Sequence, residues 1–174
     1  MKKVKLRRMA WSLEMTREGA REETDLKERR LEPRGWPAWA WHALLIASAI
    51  AGAWWIMLET HELGHVFSAA LSGGTVTHVS LPVVGISRTD VEPNPHPQFV
   101  AWGGALWGPA LPVAAWLVVR RWANRYAFLA RFVAGFCLVA NGAYLGAGSF
   151  AHVGDAADLL RHGARPWQLL FYGL

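Results

Sequence analysis

Three stretches of this sequence contain no charged residue, and each is about as long as a helix that crosses a membrane. They cover residues 37–58, 99–119 and 132–151, which are 22, 21 and 20 residues long. About 20 residues of α-helix cross a hydrocarbon core that is about 30 Å thick. Inside that core the backbone polar groups must be satisfied within the segment itself, which favours helices. The sequence therefore predicts an all-α membrane protein with about three transmembrane helices.

The charged residues are concentrated in the first 35 residues. This part of the chain holds 11 of the 18 Lys and Arg residues and 7 of the 13 Asp and Glu residues. Its alternating charges and sparse apolar side chains are typical of a poorly ordered or helical arm. We therefore expect a basic arm over residues 1–35 and a membrane core over residues 36–174.

The distribution of positive charge predicts how the chain is oriented. Arg120, Arg121, Arg125 and Arg131 lie between the second and third apolar stretches. Cytoplasmic loops are enriched in Lys and Arg, so we expect these arginines and the basic arm to lie on the cytoplasmic side of a multi-pass integral membrane protein, in the cell membrane if the source is bacterial. The net charge of +5 indicates the lipid bilayer as a partner. Nucleic acid is not expected as a partner, because the sequence shows no pattern of a basic groove with interleaved aromatic residues.

The segment between the first two stretches has the composition of β-structure. Residues 75–89 are rich in Val, Ile and Thr around Gly85, which predicts a small surface β-hairpin after the first helix. Pro93, Pro95 and Pro97 predict an extended loop after the hairpin. The last nine residues are apolar but too short to cross a membrane, so we expect them to lie in the membrane interface.

Two histidines four residues apart stand near the end of the first predicted helix, which continues to Leu71. His61, Glu62 and His65 form the pattern HExxH. Residues four apart on a helix share one face, so both imidazoles can bind the same zinc ion, and Glu62 can take a proton from water next to that ion. Ionisable residues inside a membrane helix are costly and mark functional sites. The motif therefore predicts a catalytic zinc site with Glu62 as the general base.

A catalytic zinc ion usually has three protein ligands, so a third ligand must come from elsewhere in the chain. The nearest candidates after the third apolar stretch are His152, Asp155 and Asp158. Further candidates lie in or beside the predicted hairpin: His78, Asp90, Glu92 and His96. Asp155 has an alternative role as a helix N-cap, because Gly154-Asp155 precedes a run that is compatible with a helix. The spacing alone does not decide whether Asp155 is a metal ligand or a helix N-cap.

Three short motifs resemble the site-2 protease family of intramembrane zinc metalloproteases, over about residues 43–160. His-Glu-Leu-Gly-His, followed by Gly73-Gly74, is similar to the first core helix of that family and the surface β-structure after it. Gly108-Pro109 in the second apolar stretch is similar to the glycine-proline signature of the family. Gly154-Asp155 occupies the place of the aspartate that shares the zinc with two histidines in the family.

The resemblance implies a role for five residues. His61, His65 and Asp155 would be the zinc ligands, Glu62 would be the base, and Asn141 would hold the substrate backbone. The family commonly has Leu-Asp-Gly at the aspartate, preceded by an asparagine and a proline. Here an alanine follows the aspartate, and Asn141 lies 14 residues before it. An interhelical hydrogen bond is the alternative role for Asn141.

The function that these features predict is zinc-dependent endopeptidase activity on membrane-embedded or membrane-proximal segments of a membrane protein substrate. The alternative is a non-proteolytic membrane adaptor with a degenerate or structural metal site. The departures around Asp155 favour the adaptor, whereas the intact Glu62 favours the enzyme. A di-iron oxidase would need several histidine boxes, but the other five histidines are isolated.

Overall fold

The computed structural model describes residues 35–83 and 85–174, together with Met15, Arg17, Gly19 and Arg21. The predicted basic arm therefore lies almost entirely outside the described residues. The chain divides into two units, Met1–His42 and Ala43–Leu174. In the described part of the first unit a helix begins at Ala38, and the ring centroids of Trp36 and Trp41 lie 6.1 Å apart.

Helices make up most of the described chain, and a small antiparallel sheet follows the first long helix. In chain order the elements are α1 (Ala38–Ser72), β1 (Val76–Ser80), β2 (Arg88–Val91), α2 (Pro97–Trp122), a 3-10 turn (Asn124–Tyr126), α3 (Ala127–Ala151), α4 (Gly154–Arg161) and α5 (Pro166–Gly173). This architecture confirms the predicted fold class, which is helical with three long apolar helices and one small hairpin.

Three of the helices are long and apolar enough to cross a membrane. α1, α2 and α3 have 35, 26 and 25 residues, and their mean hydropathies over 18-residue windows are 1.6, 1.3 and 1.5. Their outward faces carry exposed apolar side chains, among them Leu45, Val118 and Val139. An exposed apolar surface of this extent is unfavourable in water and is expected for helices surrounded by lipid.

α1 and α2 approach each other closely at a pair of glycines. A Cβ atom added to Gly64 would lie 2.9 Å from the carbonyl carbon of Gly103 and 2.9 Å from Cβ of Trp107. The two backbones can come this close only because Gly64 has no side chain. Small residues at a helix crossing are typical of helix pairs in membranes. The crossing places α2 beside the half of α1 that carries the HExxH motif.

Two prolines inside α2 leave backbone carbonyl groups that the helix itself cannot satisfy. Pro109 and Pro112 have no N–H to donate to the carbonyl oxygens four residues before them. The Tyr172 hydroxyl of α5 donates to the first of these oxygens, and the Thr60 hydroxyl of α1 donates to the second at 3.0 Å. An unsatisfied carbonyl is especially costly in an apolar environment, so these bonds help to hold α1 and α5 against α2.

The main core lies where α2, α3, α4 and α5 meet. Its buried members are Ala101, Ala105, Leu145, Ala156, Leu159, Ala164 and Leu169. A smaller cluster joins α1 to α3 through Met57, Leu58 and Cys137. At the end of α5, a Cβ atom on Gly173 would lie 2.9 Å from Cα of Gly146 in α3. The apolar last residues of the chain therefore form a helix that packs closely against α3.

β1 and β2 form the predicted hairpin, and the second strand continues two residues beyond the predicted end at residue 89. The strands are antiparallel, with Val79 opposite Thr89. The loop between the strands carries the exposed apolar side chains of Leu81, Val83 and Ile86. β2 is the strand that faces the site described next.

Candidate metal centre

His61, Glu62 and His65 lie in the most buried part of α1. The three residues are only 6%, 3% and 6% exposed. About one helical turn separates the histidines, so their side chains lie on the same face, and their Nε2 atoms are 3.1 Å apart. Ligand atoms of the three residues lie within 4.8 Å of one another, so this cluster could hold a metal ion.

Asp155 reaches the same point from α4. Its Oδ2 atom lies 2.8 Å from Nε2 of His61 and 3.2 Å from Nε2 of His65. The approach becomes possible because His152 ends α3 in the left-handed conformation, with φ 52°, and α4 begins two residues later. Burial alone would raise the pKa of the Asp155 carboxyl, but hydrogen bonds from the two imidazoles, which donate from Nε2 when no metal is bound, lower that pKa below its ordinary value. The group is therefore held as a carboxylate.

The hydrogen bonds on the far side of each ring decide which ring nitrogen carries the proton. The Asn141 amide nitrogen donates to the Cys137 carbonyl at 2.8 Å, which leaves the amide oxygen facing Nδ1 of His61 at 2.6 Å. Nδ1 of His65 lies 2.8 Å from the Val100 carbonyl oxygen. Both of these oxygens accept, so each Nδ1 donates, and an imidazole that carries only this one proton presents a lone pair at Nε2.

Three groups that can bind a metal therefore converge on one point, namely Nε2 of His61, Nε2 of His65 and the Asp155 carboxylate. When both imidazoles are neutral, the two Nε2 lone pairs and the Asp155 carboxylate lie 2.8 to 3.2 Å apart, and either a proton on Nε2 or a bound metal cation offsets their repulsion. Two ligand atoms of a tetrahedral zinc, with bonds of about 2.0–2.1 Å, are separated by roughly 3.3 Å. The observed separations are close to that value. Donation from Nδ1 to an oxygen is also the usual support of a metal-binding histidine. The donor set fits a divalent cation.

No protein-family model, curated protein or solved structure matches this chain. The resemblance to the site-2 proteases therefore depends on the sequence motifs alone. The motifs do meet in space. A Cβ atom on Gly108, in the glycine-proline motif, would lie 2.7 Å from the Asn141 amide oxygen, which itself contacts His61.

Glu62 lies beside the histidines and is hydrogen-bonded to the hairpin. The Thr89 hydroxyl of β2 donates to Oε2 of Glu62 at 2.5 Å. A hydrogen bond to one carboxylate oxygen restricts the side chain to one orientation and leaves acceptor sites on the other oxygen. Thr89 thus connects the surface sheet to the carboxylate that the motif predicts to be the base.

Two cavities meet at the site. A polar cavity of about 600 Å³ is lined by Glu62 and Asp155 and, on its other side, by β2. An apolar groove of about 370 Å³ lies between α1 and α3 and reaches His61. Tyr144 and part of the hairpin loop line both cavities. The site can therefore be reached from a polar side and from an apolar side.

Two of the alternatives to Asp155 as the third ligand, Asp158 and His152, form no ion pair or hydrogen bond with the two imidazoles in the described part of the chain. Asp158 is exposed and pairs with Arg161 at 3.3 Å, and His152 is exposed at the end of α3. The alternative role of Asp155 as a helix N-cap is wrong. The N-cap of α4 is Val153, and the Asp155 carboxylate contacts the two imidazoles instead of a backbone N–H group.

Asn141 is buried between α1 and α3. Its amide oxygen contacts His61 on α1, so the interhelical hydrogen bond that was its alternative role is present. Its amide nitrogen is used within α3. The amide therefore orients a proposed ligand, and contact between Asn141 and a substrate stays a prediction.

Several residues of the site carry no distinctive sequence signal. In the sequence, Tyr144 is indistinguishable from any aromatic residue of an apolar helix. Thr89 is likewise typical of a residue in a β-strand. Asn94 lies in the proline-rich loop, and within the described residues its buried amide oxygen in the cavity wall has no hydrogen-bond partner. The pair Gly103-Gly104, in contrast, can be recognised from the sequence, because adjacent glycines in an apolar helix indicate the close approach of another helix.

Replacing Gly104 with alanine is expected to disrupt the metal centre. A Cβ atom at this position would lie 2.6 Å from Nε2 of His61 and 2.6 Å from Cε1 of His65, so it would displace both imidazoles. We expect affinity for a divalent metal ion, measured by chelator competition on the purified protein, to fall by at least about 100-fold, because both candidate ligands move. In the control Gly135→Ala, the added Cβ has no atom within 4 Å, and binding should match the wild type. Equal metal affinity in the two variants would contradict the packing of α2 against the histidines.

Proposed function

We propose that this chain is a multi-pass integral membrane protein and a zinc-dependent endopeptidase, similar to the site-2 proteases, that cleaves membrane-embedded or membrane-proximal protein segments. The observation that carries the proposal is the convergence of His61, His65 and Asp155 on one point, with Glu62 beside it. Two neutral imidazoles and one carboxylate form a ligand set, and the second carboxylate is available as a base. Metal-dependent hydrolases use this division of roles.

Zinc is the metal that suits these donors. Catalytic zinc sites have three protein ligands of the nitrogen and oxygen type and leave a further position open. A zinc ion bound here would supply Lewis acidity, which polarises a peptide carbonyl and lowers the pKa of water toward neutrality. The hydrogen bonds from His61 to Asn141 and from His65 to Val100 would keep the imidazoles oriented toward it.

Glu62 performs the proton transfers in the proposed reaction. Its carboxylate takes a proton from the water that attacks the peptide carbonyl. It then gives that proton to the amine nitrogen as the C–N bond breaks. Thr89 restricts the carboxylate to one orientation through its hydrogen bond to Oε2, so the base is positioned before the substrate arrives.

The two cavities suit a substrate that comes from the membrane. The groove between α1 and α3 is lined by apolar residues such as Trp54, Met57 and Ala143, which suit the side chains of a transmembrane segment. The polar cavity gives water a route to Glu62. A helical substrate must unwind before its peptide bonds are accessible. β2 pairs with β1 on one side only, so its other edge can pair with the unwound segment.

A non-proteolytic adaptor with a structural metal site is the second candidate. The sequence around Asp155 departs from the site-2 protease pattern, and Thr89 already occupies one oxygen of Glu62. In an adaptor the metal would join α1 to α4, and Glu62 would have no chemical role. Bound zinc is expected for both candidates, so only cleavage separates them.

Removal of the metal tests the proposal. We expect the purified protein to generate new peptide N-termini, detected by mass spectrometry, in detergent-solubilised membrane proteins. Treatment with 1,10-phenanthroline should lower cleavage at least about 100-fold, because the metal contributes several kcal/mol to transition-state stabilisation. Added zinc should restore it. The non-chelating isomer 1,7-phenanthroline is the control. Cleavage that does not depend on zinc would contradict the proposal, and zinc binding without cleavage would favour the adaptor.

A further inference from the structure

Tyr144 lies at the metal centre, and the reaction proposed above gives it no role. Its hydroxyl oxygen accepts a hydrogen bond from the Asp155 backbone N–H at 3.4 Å. Within the described part of the chain, the hydroxyl donates no hydrogen bond. The hydroxyl therefore has an unused donor directly beside a proposed ligand.

The tyrosine side chain is held on two sides. Its ring makes a T-shaped contact with the His61 ring, with centroids 5.7 Å apart and an interplanar angle of 82°. On the other side, a Cβ atom on Gly154 would overlap the tyrosine hydroxyl, so the close approach of α4 requires a glycine there. A donor that is fixed in advance needs no reorganisation when charge develops next to it, and such donors are effective in catalysis.

Tyr144 also stands where the apolar groove joins the polar cavity. It lines both, together with Ile86 and Ser87 of the hairpin loop. Tyr144 therefore lies on the route that joins the groove to the cavity beside Glu62. The tyrosine contacts both proposed ligands, His61 through its ring and Asp155 through its hydroxyl, so a peptide carbonyl at the metal would lie close to it.

We propose that Tyr144 is a catalytic residue whose hydroxyl donates a hydrogen bond to the oxygen of the scissile carbonyl; this inference rests on the proposed endopeptidase function. The water oxygen bonds to the carbonyl carbon, the π electron pair moves onto the carbonyl oxygen, and Glu62 takes the proton. Tyr144 stabilises the negative charge on that oxygen and keeps its own proton. The C–N bond then breaks, the carbonyl forms again, and Glu62 returns the proton to the nitrogen.

The test compares Tyr144→Phe with Tyr126→Phe. Tyr126 is exposed in the turn between α2 and α3, so it is a matched control outside the site. With a fluorescently labelled, leucine-rich peptide in detergent micelles, Tyr144→Phe should lower kcat about 100- to 1,000-fold, the effect of removing one such donor. KM should change less than about twofold, because the interaction forms only in the transition state. Bound zinc should equal that of the wild type.

A second measurement does not depend on turnover. A phosphinic peptide carries a tetrahedral, negatively charged group at the bond that the wild type cleaves, and so imitates the charge of the transition state. By isothermal titration calorimetry, its Kd should rise about 100-fold in Tyr144→Phe. The unmodified peptide should bind Glu62→Gln equally well with and without Tyr144→Phe.

The outcomes separate this inference from the proposed function. Normal kcat and normal phosphinic-peptide affinity in Tyr144→Phe would overturn the assignment. Loss of zinc from that variant would also overturn it, because the tyrosine would then act only by positioning Asp155. A wild-type protein that neither cleaves the peptide nor binds the phosphinic peptide would overturn the proposed function itself. Cleavage by the wild type with an unaffected Tyr144 variant would reject only the role of the tyrosine.

Discussion

Replacing Glu62 with glutamine is expected to lower peptide cleavage by about 100- to 10,000-fold, which is the range that a positioned general base contributes. Glutamine has nearly the size of glutamate, and its amide oxygen can still accept the hydrogen bond from Thr89. It cannot take a proton from water. Because His61, His65 and Asp155 provide the proposed ligand atoms, bound zinc should remain at the wild-type level. The two measurements are cleavage of the labelled peptide and zinc content by mass spectrometry.

The matched control for this experiment is Glu59→Gln. Glu59 lies about one turn before Glu62 on α1 and is exposed. Both variants remove one negative charge from the same helix. A difference in cleavage between them is therefore due to the position of Glu62 and not to the loss of charge. Wild-type activity in Glu62→Gln would remove this residue from the mechanism and favour the adaptor. Loss of zinc from Glu62→Gln would show that the carboxylate is a ligand instead of a base.

A second large effect is expected from Asp155→Ala, which should weaken zinc binding by more than about 100-fold. Loss of a residue that only supports a ligand costs about 10- to 100-fold in metal affinity, and loss of the ligand itself also removes a charge and a bond to the metal. Oδ2 of Asp155 is one of the three atoms that define the site, at 2.8 Å and 3.2 Å from the imidazole nitrogens. Cleavage should disappear together with zinc. Competition with a colorimetric chelator measures the affinity.

Asp158→Ala and His152→Ala are the controls for the third ligand. Asp158 is exposed and paired with Arg161, and His152 is exposed at the helix end, so both variants should bind zinc about as tightly as the wild type. If either control loses the metal while Asp155→Ala keeps it, the assignment of Asp155 is wrong. The same result would mean that α4 lies differently against α3.

The site depends on segments that are far apart in the sequence. α1 supplies His61, Glu62 and His65, and α4 supplies Asp155. β2 and α3 add the hydroxyl and amide groups that orient Glu62 and His61 on α1. The glycine crossing of α1 and α2 keeps these parts in register. A packing defect at a distance from these residues is therefore expected to affect the candidate site.

The amino-acid sequence was sufficient for the features that depend on local physics. The three long helices follow from uninterrupted apolar stretches of about 20 residues, because membrane thickness sets the length of a spanning helix. The hairpin follows from a short Val, Ile and Thr segment around a glycine. The positions of His61, Glu62 and His65 on one helix also follow from the sequence, because helix geometry alone brings residues four apart to the same face.

The tertiary structure was needed for every choice that depends on long-range packing. His152, Asp155 and Asp158 lie within seven consecutive residues, and no local rule separates them. The left-handed end of α3 and the packing of α4 direct the Asp155 carboxylate to the histidines. The contacts of Thr89 with Glu62 and of Tyr144 with Asp155 likewise join residues that are distant in the chain. Such contacts depend on how helices cross and turn, which a linear pattern of residue types does not specify.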